Sequence, residues 1–134
     1  MSDQKTDKSD SKVSNKVIVG LTENVTIKGN SHAKELIARV DTGATKSSID
    51  LSLAAELKLG PVVDSRLIKS AHGAKLRPVV EVSLLIGGKE VKARFTVADR
   101  SNMRYPVLIG QNILKQGFLI DPNRRADAPI IRKK

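Results

Sequence analysis

The stretch Leu36-Ile37-Ala38-Arg39-Val40-Asp41-Thr42-Gly43-Ala44 decides the fold of this 134-residue chain. Its first five residues are mostly apolar and predict a strand that ends at Asp41. Gly43 permits a sharp turn with bare backbone N–H groups, and the Thr42 hydroxyl can fix the loop through hydrogen bonds to the backbone. The same residue types are common in ordinary turns, so a second motif has to distinguish a site from a simple turn.

The second motif is the run Tyr105-Pro106-Val107-Leu108-Ile109-Gly110-Gln111-Asn112-Ile113-Leu114. It predicts a short apolar strand, a glycine at the strand end and a short helical segment. The order of Val-Asp-Thr-Gly-Ala, several strands, Val-Leu-Ile-Gly-x-x-Ile-Leu and the closing strand at 117–121 resembles the retropepsin family, the single-lobe aspartic proteases. The resemblance covers roughly residues 16–121 and implies an all-β, closed-barrel-like acid-protease lobe with short helices.

The resemblance identifies Asp41, Thr42 and Gly43 as the catalytic residues. Peptide hydrolysis by this chemistry needs two carboxylates that share one proton, and the chain holds a single Asp-Thr-Gly. A two-fold homodimer would supply the second Asp41. We therefore expect a homodimeric aspartic endopeptidase whose partners are a second copy of itself and a peptide or protein substrate.

Substrate-binding residues are also implied by the resemblance. Retropepsins cover the substrate with a β-hairpin flap, and the segment 66–80 lies where that hairpin should fall. Its tip, Ala71-His72-Gly73, is expected to meet substrate, together with Ala44 and Ile109. A histidine such as His72 in an exposed turn is more often a plain solvent-facing residue than a functional one.

A narrower resemblance links Ser70-Ala71-His72-Gly73, Arg77-Pro78-Val79-Val80 and the run 99–110 to small prokaryotic retropepsin-like proteins often labelled ATP-dependent zinc proteases. The residues predict neither cofactor. The only histidines are His32 and His72, and there is no cysteine, whereas zinc sites in proteins need three or four protein ligands. No Gly-x-x-x-x-Gly-Lys-Ser/Thr phosphate loop is present. We expect no metal and no cofactor.

Composition sets the remaining limits. The net charge is +10, the aromatic content is 2%, and no cysteine can form a disulfide. With so few aromatic residues, nucleic-acid binding is expected only non-specifically, through basic tails. No long apolar segment predicts a membrane span, so a cytoplasmic protein is expected. We predict a disordered tail over residues 1–15, one domain over 16–123, and a basic, flexible tail over 124–134.

The remaining pattern predicts the order of elements. Strands are expected over 16–21, 22–28, 35–40, 45–49, 62–70, 76–86, 89–97, 107–109 and 117–121, with a helix over 51–58 capped by Asp50. Gly87-Gly88 predicts a two-residue hairpin. Thr45 stands where retroviral members usually carry a further Asp. An alternative function therefore stays open, a retropepsin-fold dimer that acts as a peptide-binding or scaffold module without useful catalysis.

Overall fold

The computed structural model describes residues 15–127 and consists mainly of β-strands. Two short helices interrupt them. The elements in chain order are β1 (Val17–Val19), β2 (Thr22–Lys28), β3 (Ala33–Val40), β4 (Ser47–Asp50), α1 (Leu51–Glu56), β5 (Val62–Ser70), β6 (Gly73–Ile86), β7 (Lys89–Ala98), β8 (Val107–Ile109), α2 (Gln111–Leu114) and β9 (Phe118–Ile120).

Six of the strands close into a barrel, which confirms the predicted fold class. Their order is β2-β3-β8-β4-β7-β6, and β6 returns to pair with β2. The returning pair is antiparallel and places Val25 opposite Ile86. Closure leaves no free edge among these strands, while β5 extends the sheet outside the barrel as a partner of β6.

Aliphatic side chains fill the barrel, because the chain carries few aromatic residues. Phe95 and Phe118 are the buried phenyl groups of this core, and the surrounding residues are Val, Ile, Leu and Ala. The first part of β7 alternates, since Val91, Ala93 and Phe95 point inward and the charged residues between them point out, whereas all residues from Phe95 to Ala98 are buried. Burial of this face fixes the register of the strand.

Local chemistry decides where helix α1 begins and ends and where strands β6 and β7 turn. The Asp50 carboxylate accepts a hydrogen bond from Ser52 N at 3.0 Å and caps α1. Helix α1 ends at Glu56, two residues earlier than expected, because Lys58 has a φ of 53° and cannot continue a right-handed helix. Gly87 and Gly88 both have positive φ and form the predicted hairpin turn.

Strands β5 and β6 form the long hairpin that the sequence predicts as a flap. Ser70 pairs with Gly73 at its tip, and Arg66 pairs with Arg77 farther down. Leu67 and Leu76 lie opposite each other and are 52% and 70% exposed. This pair gives the projecting hairpin an exposed apolar face.

The ends of the described chain meet on one side of the barrel. Strands β1 and β9 pair in parallel, with Ile18 opposite Leu119. Beyond β9, Arg125 bridges to Thr22, and Leu21 N donates to Arg124 O at 2.9 Å. Residues 124–127 of the predicted C-terminal tail thus bond to the domain. Residues 128–134 and most of the predicted N-terminal tail lie outside the described residues.

Candidate active site

The Asp41 loop stands on the end of a parallel strand pair. Val40 of β3 lies beside Ile109 of β8, and the backbone N–H of Asp41 donates to Ile109 O at 2.9 Å. Ile109 has no exposed surface, so this support is rigid. The two motifs that the sequence analysis singled out therefore meet in space.

The Asp41 carboxylate is held by its own loop. Gly43 N donates to Asp41 Oδ1 at 2.9 Å, and Ala44 N donates to Asp41 O at 3.2 Å. The Asp41 side chain is half-buried, while Thr42 and Gly43 are exposed. A carboxylate with one oxygen fixed and a neighbouring surface open can meet a second carboxylate, a water molecule and a substrate.

Helix α2 braces the loop from below. Gln111 N donates to Ala44 O at 2.8 Å, and Asn112 N donates to Thr45 O at 3.2 Å. Gly110 is required between strand and helix, because a Cβ atom there would lie 2.2 Å from Lys46 O.

A buried hydroxyl completes this brace. Ser47 is fully buried, accepts a hydrogen bond from Gly110 N at 2.9 Å and donates to Asn112 Oδ1 at 2.7 Å. The Asn112 amide in turn donates to Arg94 O at 2.9 Å. This network joins β4, β7 and α2 directly behind the Asp41 loop.

The expected substrate-binding residues fall into two groups. Ala44 is half-buried in the Asp41 loop, whereas the Ile109 side chain belongs to the core and meets the site through its backbone carbonyl. The flap tip is exposed, and its hydrogen bonds are local: Ser70 Oγ donates to Gly73 O and accepts from His72 N, each at 3.2 Å. These bonds shape the tip without joining it to the Asp41 loop.

Basic side chains line two grooves that include residues next to the loop in sequence, Val40 and Lys46. Beyond Ala44, Lys46, Arg66 and Arg94 line a groove of about 190 Å³ that also contains Asp64. Before the loop, Arg39 and Arg125 line a smaller groove of about 100 Å³. Each groove is therefore lined mainly by basic charge, which favours the binding of negatively charged groups in it.

A second polar cluster fixes the segment that leads into β8. Arg100 N donates to Asp50 Oδ1 at 2.7 Å, Arg100 Nε donates to Tyr105 O at 3.0 Å, and Arg100 Nη1 donates to Ser48 Oγ at 3.0 Å. Burial lowers the pKa of Arg100, and the neighbouring Asp50 opposes that shift. The cluster fixes the approach to β8 and, through Asp50, the start of α1.

The family model for the retropepsin-like aspartic endopeptidase RimB matches residues 53–130 of the chain. This chain belongs to the RimB-like family. The match begins after the Asp41 loop and includes the flap hairpin, strand β8 and helix α2. It confirms the resemblance drawn from the two motifs.

Solved structures similar to this RimB-like chain support the fold. A Legionella pneumophila protein of unknown function aligns with a TM-score of 0.57 and 20% identity, over 81% of this chain and 95% of that one. The simian foamy virus (mac) protease aligns with a TM-score of 0.55 and 22% identity, over 70% and 91%. At these identities, both comparisons show a similarity of fold alone.

A curated relative is named a probable alpha-L-glutamate ligase, from Shewanella pealeana. It is 33% identical over 63 residues, which are 46% of this RimB-like chain and 14% of the ligase. The shared region is therefore a small part of a much longer protein.

The described residues hold neither a metal-binding cluster nor a membrane-spanning helix. Between Asn15 and Asp127, no three His, Cys, Asp or Glu side chains are grouped so that they could hold a metal ion. Within the same part of the RimB-like chain, no helix has the length and apolar character that crossing a membrane requires.

Sequence reasoning missed the residues that support the loop. Ser47, Asn112 and Gln111 each contact the Asp41 loop or the glycine beneath it. Gln111 and Asn112 directly follow Gly110 in the second motif, and that position could have indicated that they contact the loop. Nothing in the local sequence of Ser47 signals burial, since that depends on the pairing of β4 with β7 and β8.

Proposed function

We propose that this protein is an aspartic endopeptidase that hydrolyses peptide bonds with a water molecule activated by Asp41 and by Asp41 of a second copy. The observation that carries the proposal is the Asp41 carboxylate, fixed by Gly43 N on a loop supported by the β3–β8 pair and helix α2. Thr42 and Gly43 form the exposed part of the same loop.

The reaction follows from two carboxylates that share a proton. Like charges about 3 Å apart cannot both stay ionised, so one aspartate keeps a proton. The ionised aspartate takes a proton from water as the water oxygen bonds to the scissile carbonyl carbon. The protonated aspartate donates a hydrogen bond to the carbonyl oxygen, where negative charge develops. The carbon–nitrogen bond then breaks, and the leaving nitrogen takes up a proton.

A two-fold dimer supports this chemistry, since each chain brings one Asp-Thr-Gly. An apolar patch suited to self-association is formed by Ile18 and Leu119, which lie opposite each other on β1 and β9, together with Leu21. They are 47%, 37% and 36% exposed. We propose that this patch lies in the dimer interface.

Acidic peptides are the proposed substrate class. Two features support it: the two grooves lined by basic side chains, and the glutamate ligase that shares part of this sequence. Salt bridges from Lys46, Arg66 or Arg94 to glutamate side chains would hold an extended peptide across the loop. Peptides rich in glutamate are therefore the first substrates to test.

The test is a peptidase assay on purified protein with glutamate-rich and mixed peptide libraries. Asp41→Asn should abolish cleavage and preserve the fold, because the amide is nearly isosteric but can act as neither base nor acid. Asp99→Asn is the matched control, since Asp99 accepts hydrogen bonds from Ser101 within its own turn. Cleavage by the Asp41→Asn variant at the wild-type rate would refute the proposal.

The alternative is a dimer that binds peptides without cleaving them. Thr45, in place of the further aspartate usual in retroviral members, favours it, because the site departs from the viral pattern there. Peptide binding with no cleavage by the wild-type protein on the full library would select this alternative.

A further inference from the structure

Gln111 makes two contacts with the Asp41 loop. As the first residue of α2, it donates its backbone N–H to Ala44 O at 2.8 Å. Its side-chain amide Nε2 donates to Thr42 O at 2.7 Å. One half-buried residue therefore bonds to the loop at two carbonyls on either side of Gly43.

The side-chain contact reaches the carboxylate through a single peptide group. The Thr42 carbonyl and the Gly43 N–H are opposite ends of one planar peptide unit. That N–H donates to Asp41 Oδ1 at 2.9 Å. Two hydrogen bonds in series thus connect the Gln111 amide to the carboxylate oxygen. A donor on the carbonyl polarises the peptide, which strengthens the N–H as a donor to the carboxylate.

The Gln111 amide is also neutral. A cation at this position would favour ionisation of nearby carboxylates and oppose the sharing of one proton between them. An amide fixes the orientation of the Thr42–Gly43 peptide without adding charge. The residue is therefore suited to a loop that must hold a carboxylate in either protonation state.

We propose that Gln111 is a positioning residue that orients and strengthens the Gly43 N–H donor to Asp41. Its catalytic consequence rests on the proposed endopeptidase function, whereas the hydrogen-bond relay itself does not. Gln111 touches no reacting atom in this arrangement, and its effect reaches Asp41 through the Thr42–Gly43 peptide.

The experiment compares Gln111→Met and Gln111→Glu with a control, Gln116→Met. Methionine keeps the length of the side chain and removes the donor, while glutamate keeps the shape and cannot donate when ionised. Gln116 lies just beyond the same helix, and its side-chain amide also donates to backbone carbonyls, of Lys92 and Asn112, away from the loop.

The first readout is the amide signal of Gly43 in a ¹H–¹⁵N NMR spectrum, which needs no activity. In both Gln111 variants the Gly43 proton should move upfield and its hydrogen exchange should quicken. The control should leave both unchanged. If the Gly43 signal keeps its wild-type position in both Gln111 variants, the proposal is overturned, whether or not the protein is a peptidase.

The second readout is steady-state kinetics. Both Gln111 variants should lose between about 10- and 100-fold in kcat with KM unchanged, because a misplaced catalytic group slows chemistry more than binding. Gln116→Met should keep the wild-type kcat. An unchanged kcat in the Gln111 variants of an active enzyme would also overturn the proposal. An inactive wild type would refute the endopeptidase function and leave the NMR test to decide the relay.

Discussion

Asp127 accepts a hydrogen bond from Thr22 Oγ1 at 2.6 Å, although the two residues stand 105 positions apart in the chain. The other Asp127 oxygen accepts from the Tyr105 hydroxyl, and Arg125 Nε lies 3.3 Å from Oδ1. The carboxylate thus joins the start of β2, the segment before β8 and the chain beyond β9. These contacts lower the pKa of Asp127 to about 2, with the Thr22 hydrogen bond as the largest cause.

The first prediction concerns acid stability. Because the Asp127 pKa is about 2 in the folded protein and about 3.9 in an unfolded chain, the unfolded state binds more protons between these values. The carboxylate therefore stabilises the fold above about pH 4, and this contribution is lost as the pH falls towards 2. Asp127→Asn should lower the urea midpoint at pH 6, and the difference from wild type should narrow steadily as the pH falls from about 4 towards 2. A difference that stays constant over this range would contradict the prediction.

The second prediction concerns the brace behind the loop. Ser47→Ala removes the acceptor of the buried Gly110 N–H, and an unsatisfied buried donor costs about 1–3 kcal/mol. The free energy of unfolding should fall by that amount in urea denaturation, and peptidase activity should fall with it. The exposed helix residue Ser52 provides the control, since Ser52→Ala should change stability little. Equal effects of the two substitutions would count against the brace.

The third prediction concerns the dimer interface. Leu119→Lys places a charge in the apolar patch shared with Ile18 and should shift sedimentation from dimer to monomer. Activity should be lost in parallel, because each monomer carries one Asp41. Leu51→Lys is the matched control: Leu51 is 56% exposed but lies on α1, away from the patch. A Leu119→Lys protein that remains dimeric would place the interface elsewhere.

The fourth prediction separates flap function from turn stability. Gly73 at the flap tip and Gly88 in the β6–β7 turn both have positive φ, and nothing lies within 4 Å of an added Cβ at either. Alanine should cost about 1–2 kcal/mol of backbone strain in each turn. Only Gly73→Ala should also lower kcat/KM, since its tip is expected to cover substrate. A similar loss of kcat/KM in Gly88→Ala would argue against a role for the flap tip.

Much of this arrangement was predictable from the sequence because its signals are local. The strand predicted over 89–97, the Asp50 cap and the Gly87-Gly88 turn each depend on neighbouring residues, and the structure confirms them. The two motifs also indicated the protein family. The hydrogen bond between Thr22 and Asp127 was not predictable, because it depends on the closed barrel, which brings distant segments of the chain together.

The same reason explains what the sequence missed in the site. Gln111 and Ser47 are ordinary polar residues, and their importance comes from the carbonyl or N–H group that each one meets after folding. Strand boundaries also shifted for tertiary reasons. Strand β4 begins at Ser47 instead of the predicted residue 45, since Thr45 O accepts from Asn112 N.

The shared dyad is tested most directly by subunit mixing. Wild-type protein at a fixed amount is equilibrated with a ninefold excess of the Asp41→Asn variant, and cleavage of a glutamate-rich peptide is measured. If the site needs one Asp41 from each chain, random exchange pairs most wild-type chains with an inactive variant. Only a small share of the dimers then stays active, and the rate falls to about one tenth of the rate of wild-type protein alone. A rate that stays at the wild-type value after complete exchange would show that each chain acts alone, and would contradict the account.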